Sequence, residues 1–190
     1  MNSHPIRLVV TDDLRRTRLT VFFRLLLVIP HVIWLGLWGL AAVVAAIANW
    51  FATLVTGRSP ASMHNFLARF LRYGTHVNAY LYLLADPYPP FNGRPGYPVD
   101  LEVDPPASQR RLITGFRLLL AIPALLIARI LNYLLQLLAF LGWFVALFTG
   151  RMPKGMRDLG AFCLRYDQQS QAYLLLLTER YPSLSAPGAS

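Results

Sequence analysis

The chain has 190 residues, 55% of them hydrophobic and 14% charged, with a mean hydropathy of +0.43. Soluble domains carry about 25% charged residues, so this composition excludes an ordinary water-soluble globule and fits an integral membrane protein. The net charge of +9 is almost wholly arginine, with Lys154 the only lysine; the arginines crowd against the ends of apolar runs, which points to a membrane face and not to nucleic acid.

In chain order, Pro5-Ile-Arg-Leu-Val-Val10 alternates apolar and variable positions and predicts a short half-buried strand, and Pro98-Val-Asp-Leu-Glu-Val103 repeats it 93 residues later. Arginines follow in both places, Arg15, Arg16 and Arg18, then Arg110 and Arg111, as flanks of an apolar run. The run repeats at the same offset. Arg24-Leu-Leu-Leu-Val-Ile-Pro30 returns as Arg117-Leu-Leu-Leu-Ala-Ile-Pro123, and Trp50-Phe51 with Thr56-Gly57-Arg58 returns as Trp143-Phe144 with Thr149-Gly150-Arg151. The chain therefore reads as two tandem repeats, 1–97 and 98–190, with no separate catalytic domain.

From Leu25 to Gly57 there is no Asp, Glu, Lys or Arg. As one helix this stretch would be roughly 50 Å long, against a hydrocarbon core of about 30 Å. Gly36 and Gly39 correspond to Arg129 and Asn132, so helix-weakening or polar residues fall at the same two places in both copies. The expectation is a broken transmembrane helical hairpin per repeat, over about 18–57 and 111–150, with both ends cytoplasmic and Arg24 snorkelling to the headgroups. Pro30 and Pro123 lie in the first helix of each hairpin, where proline favours a kink. Thr-Gly-Arg-x-Pro, at Thr56 to Pro60 and Thr149 to Pro153, reads as a helix stop, with Gly for the left-handed turn and Pro just beyond.

Met63, Phe66, Leu67, Phe70, Leu71, Val77 and Leu81 recur at helical spacing with basic residues elsewhere around the helix, as do Met156, Leu159, Cys163, Tyr166, Tyr173 and Leu177. These predict amphipathic interfacial helices over about 61–84 and 154–178. A Pro-rich linker spans 86–97, and the small polar tail, 185–190, reads as disordered. Cys163 is the sole cysteine and reads as a buried apolar side chain. Ala46-Ile-Ala48 imitates a signal-peptidase site, but cleavage there would remove half of the first repeat.

All nine acids lie outside the apolar runs, so the candidates for a proton relay or ion path within them are His31, Asn49, Arg129, Asn132 and Gln136, which makes transport the weaker expectation. No phosphate loop, nucleophile elbow or close histidine pair is present, so no catalytic, cofactor or metal residues are expected. A basic set does recur between copies: Arg24 with Arg117, Arg58 with Arg151, and Arg72 with Arg165, the last pair each followed by tyrosine, Tyr73 and Tyr166. These eight are the candidate lipid-headgroup or partner-binding residues.

The Trp-Phe…Thr-Gly-Arg-x-Pro segment, the amphipathic helix after it and the exit from Ala79 to Phe91 together resemble the bacterial membrane family catalogued as domain of unknown function 4389, here present twice. The second copy departs at its exit, Arg180-Tyr-Pro-Ser-Leu184. The resemblance implies a membrane protein and brings no activity, cofactor or catalytic residue. The resulting expectation is an all-α membrane protein of two tandem repeats, each a short strand, a broken hairpin and an interfacial helix, with a strand pair joining the repeats about an axis along the membrane normal. It would be a multi-pass inner-membrane scaffold or accessory subunit with cytoplasmic termini, binding anionic lipid and another membrane protein or itself. A channel or transporter subunit using Arg129 and Asn132, and a membrane-interface enzyme, are the alternatives.

Overall fold

A computed structural model describes residues 4–185, so the tail expected to be disordered lies outside the described residues apart from Ser185. The two sequence-repeated strands, β1 (Ile6–Val10) and β2 (Val99–Val103), pair with each other in antiparallel register. Leu8 faces its own repeat partner Leu101, and Ile6 faces Val103. A pseudo-two-fold axis therefore passes through the Leu8–Leu101 pair. Alternation places Ile6, Val99 and Leu101 inward, while Arg7 reaches Glu102 at 3.1 Å and Asp104 at 2.9 Å on the outer face.

Each apolar run is one long helix, which corrects the broken hairpin. α1 (Arg18–Thr56) continues through Gly36 and Gly39, and α4 (Arg117–Thr149) continues through Arg129 and Asn132. The physical reason is tertiary support: α2 (Ala61–Leu81) folds back along α1, setting Phe66 and Phe70 against Trp38, Tyr73 against His31, and Tyr80 against Arg24. A glycine weakens a helix by about 1 kcal/mol, too little to break one that is packed along its length. The interruption that does occur is at the start of the second run, where α3 (Arg111–Gly115) precedes α4. Both long helices stop at a left-handed glycine, Gly57 at φ 74° and Gly150 at φ 71°, whose N–H donates to Thr53 and Ala146 at 2.8 Å.

α5 (Lys154–Leu174) folds back on α4 as α2 does on α1. The two crossing helices meet on the axis, where the Thr75 hydroxyl donates to Gln168 Oε1 at 3.0 Å, and these positions are again repeat partners. Neither helix lies on an outer surface as an interfacial helix would. Each is sandwiched, taking the sheet on one side through Ile6, Leu67, Leu71, Leu101 and Ala172 or Val99, Ala79, Cys163 and Leu164, and the long helix on the other. Their amphipathic pattern serves an inner layer because periodicity names a buried face and not what covers it.

α4 runs antiparallel to α1, and the layer is gripped at both ends, by α4 on the start of α1 and by the end of α1 on α3, the short helix that leads into α4. Trp143 Nε1 donates to the Val21 carbonyl, and its repeat partner Trp50 to the Thr114 carbonyl, both at 2.9 Å. The helix-stop loops dock on the opposite repeat: Arg16 N–H donates to Gly150 O at 2.9 Å, and Gln109 N–H to Gly57 O at 2.8 Å. The order of layers is sheet, then α2 with α5, then α1 with α4. Both long helices are long and apolar enough to cross a membrane by length and composition.

Candidate functional site

α1 buries a narrow stripe, Val21, Arg24, Val28, His31, Ala42, Asn49 and Thr53, and leaves the rest of its circumference exposed and apolar from Leu19 to Val55. α4 does the same through Phe148. An exposed apolar surface of this extent marks an interaction face.

Of the eight candidate lipid-headgroup or partner-binding residues, six turn inward. Arg24 and Arg117 are 2% and 1% exposed. The Arg24 guanidinium lies over the Tyr80 ring at 4.3 Å and donates to the carbonyls of Tyr80 and Ala85 and, at 2.9 Å, to Asp86 Oδ1. Arg117 repeats this over Tyr173 at 4.4 Å, donating to the carbonyls of Tyr173 at 2.7 Å and Thr178 at 2.6 Å and to Gln109 Oε1 at 2.7 Å. They staple each long helix to the end of its partner helix instead of snorkelling. The frayed C-terminus of α2 or α5 leaves carbonyls without helical donors, and a guanidinium fork supplies them.

Arg72 donates to the Leu101 carbonyl at 2.8 Å and sits 3.5 Å from Asp100, so it ties α2 to the sheet. Arg165 donates to the Ser185 carbonyl and is 8% exposed. Tyr73 is fully buried with its hydroxyl 2.7 Å from His31 Nδ1, and Tyr166 is buried too. Arg58 and Arg151 differ: their side chains are exposed at opposite ends of the long-helix layer and make no hydrogen bond or ion pair among the described residues. Arg18, Arg111 and Lys154 stand exposed beside them.

Along the flank of α1, between it, α2, α5 and the start of α4 at Leu118, runs a groove of about 850 Å³. Its walls are apolar, and its floor carries Asn78, Asp167, Gln168 and Gln171. Burial pushes the Asp167 carboxyl up to about 6. Gln168 Nε2 donates to one Asp167 oxygen at 3.2 Å. On the sheet side Asp100 goes the other way: burial would raise it, but His76 and the N–H groups of Gly96 and Leu101 donate to it and hold it below the usual carboxylate value. In the sequence Asp167 is one of the nine acids outside the apolar runs, within the amphipathic helix expected over about 154–178. The fold brings it to the floor of the groove that α1 lines, and the one available signal was that its repeat partner is Gly74. Among the described residues no group of three His, Cys, Asp or Glu could hold a metal ion.

The layered fold, with its internal two-fold and exposed apolar helices, defines a tandem-repeat helical protein with two candidate membrane helices. The profile of a domain of unknown function, DUF4389, matches residues 18–92 and again 111–185, and the chain belongs to that family, carrying its domain twice. Searches of the curated proteins and of the solved structures each returned no match.

Proposed function

We propose that the protein is a membrane-bound scaffold or accessory subunit whose long helices lie in one leaflet, with the pseudo-two-fold axis along the membrane normal and the helix ends in anionic headgroups. The observation that carries this reading is the place of the ion-paired sheet. Because α1 and α4 are antiparallel partners, the axis crosses them near mid-length and meets the strands at Leu8–Leu101. Upright helices would hold Arg7, Glu102 and Asp104, with side chains 39%, 55% and 43% exposed, at the depth of the bilayer centre. Each charge there costs about 3 kcal/mol.

Length supports the same orientation. The exposed apolar stretch from Leu19 to Val55 is about 54 Å long at about 1.5 Å per residue. Fitting it across a core of about 30 Å needs a tilt near 55°, beyond the roughly 0–40° that spanning helices show. Lying flat at the acyl boundary, the same helices bury their apolar circumference, and exposed Arg129 in mid-α4 reaches headgroups along its own stem.

Arg58, Arg151, Arg18, Arg111 and Lys154 then all meet one headgroup layer, where each basic residue contributes about 1 kcal/mol. Co-flotation of the purified chain with vesicles tests this. Replacing Arg58 and Arg151 by Gln should weaken association with anionic vesicles about thirtyfold while leaving zwitterionic vesicles unaffected. Equal flotation of wild type and variant on anionic vesicles would remove the headgroup role from this pair.

A further inference from the structure

The two repeats differ most where they approach the axis. Away from it the stapling arginines, the end-gripping tryptophans and the stop glycines are kept in both copies. Near it Gly36 and Gly39 of the first copy stand against Arg129 and Asn132, and Gly74 and Asn78 against Asp167 and Gln171. The glycines are not there for close packing. A β-carbon at Gly36 would meet nothing within 4 Å, and one at Gly39 would make an ordinary contact with the Phe70 ring at 3.8 Å. A mid-helix glycine weakens the helix by about 1 kcal/mol, and what these two leave is open space along one wall of the groove.

The groove follows α1 from Leu35 to Phe51, and the segment from Gly36 onward is about 22 Å long at about 1.5 Å per residue. That exceeds the roughly 15 Å that one leaflet's chains fill in a bilayer core of about 30 Å. Leu40, Val43, Ile47 and Phe51 belong both to its lining and to the exposed apolar face, so it opens onto that face. Its floor holds hydrogen-bonding capacity without protein partners: the second oxygen of Asp167 and the side-chain amides of Asn78 and Gln171 make no hydrogen bond among the described residues. No Arg, Lys or His lines it.

We infer that this groove binds one long-chain amphiphile, its hydrocarbon along α1 and its hydrogen-bond-donating, non-anionic head on Asp167, Asn78 and Gln171. The inference rests on the one-leaflet reading for the route by which such a molecule arrives, but the site itself is read from the groove. An anionic head would face a carboxyl with no cation beside it, whereas a hydroxyl or ammonium head donates to the free Asp167 oxygen and accepts or donates at the amides as needed. The second copy cannot offer the same trough, because Arg129 and Asn132 replace its two glycines.

The full-length protein in mild detergent, photolabelled with a diazirine-bearing hexadecanol and with the fatty acid of the same chain, tests the assignment. Peptides covering Gly36 to Phe51 and Asp167 to Leu176 should carry the alcohol label well above the matching stretch of α4, Arg129 to Phe144. Gly39→Leu, which fills the trough, and Asp167→Leu, which removes the acceptor, should each lower that labelling about tenfold. Vesicle flotation of both variants should stay at the wild-type level. Even labelling of α1 and α4, or labelling that neither variant changes, would overturn the site and leave bulk lipid contact. Equal labelling by the fatty acid would overturn the head assignment. Loss of flotation by the wild-type chain, with groove labelling intact, would instead sink the one-leaflet reading and spare the site.

Discussion

A guanidinium that donates to two carbonyls and a side-chain oxygen while covering an aromatic ring has no substitute among the other cations. Arg24 and Arg117 do this in the same way in both repeats. A lysine keeps the charge but offers a compact ammonium with no planar fork, leaving at least one buried carbonyl without a donor. Arg24→Lys or Arg117→Lys should therefore lower unfolding stability in detergent by about 2–4 kcal/mol, whereas Arg58→Lys should leave it within about 0.5 kcal/mol; thermal unfolding of the three variants checks the contrast. The recurrence of these arginines was legible in the sequence. Their destination was not, because a repeat-conserved arginine beside an apolar run is equally suited to a phosphate outside or a helix carbonyl inside.

Asp167 belongs to the same scale. Its carboxyl is raised from 3.8 to about 6, so the folded state binds the proton more tightly than the unfolded one. Stability from this group is full below about 4 and falls as pH rises through about 6, a loss of about 3 kcal/mol at roughly 1.4 kcal/mol per pH unit. Asp167→Asn should accordingly stabilise the protein at pH 8 and change little at pH 4. A wild-type minus variant difference that is flat between those values would contradict the burial assigned to this carboxyl.

At the scale of elements, strand alternation, the helix-stop loops and the long apolar runs all follow from local pattern. The strands could be read because period-two alternation needs no partner to be visible. The break expected at Gly36 and Gly39 fails because tertiary contact overrides propensity: α2 supports α1 over most of its length, with Phe70 beside Gly39. The crossing helices were misplaced for a related reason, since an amphipathic face looks alike whether lipid, a sheet or another helix covers it. Spin labels at Leu19 and Val55 measure the continuity of α1 directly. A continuous helix places them about 54 Å apart, and a hairpin would bring them within about 20 Å.

For the whole molecule, the internal two-fold decides more than any single residue. It makes the sheet, the crossing helices and the long-helix layer share one axis, so orientation in a membrane is a choice between that axis along the normal and that axis in the bilayer plane. The repeat offset was visible in the sequence. What no spacing could reveal was that α1 and α4 would run antiparallel in a single layer, each end of which joins the start of one long helix to the end of the other. Lys154 stands at one end of that layer and Ser108 at the other, and both are exposed. With Cys163 replaced by Ser, Lys154→Cys and Ser108→Cys introduce one thiol at each end. An impermeant maleimide applied to sealed right-side-out and inverted membrane vesicles should label both thiols from the same face. Labelling of the two from opposite faces would stand the long helices upright and contradict the one-leaflet account.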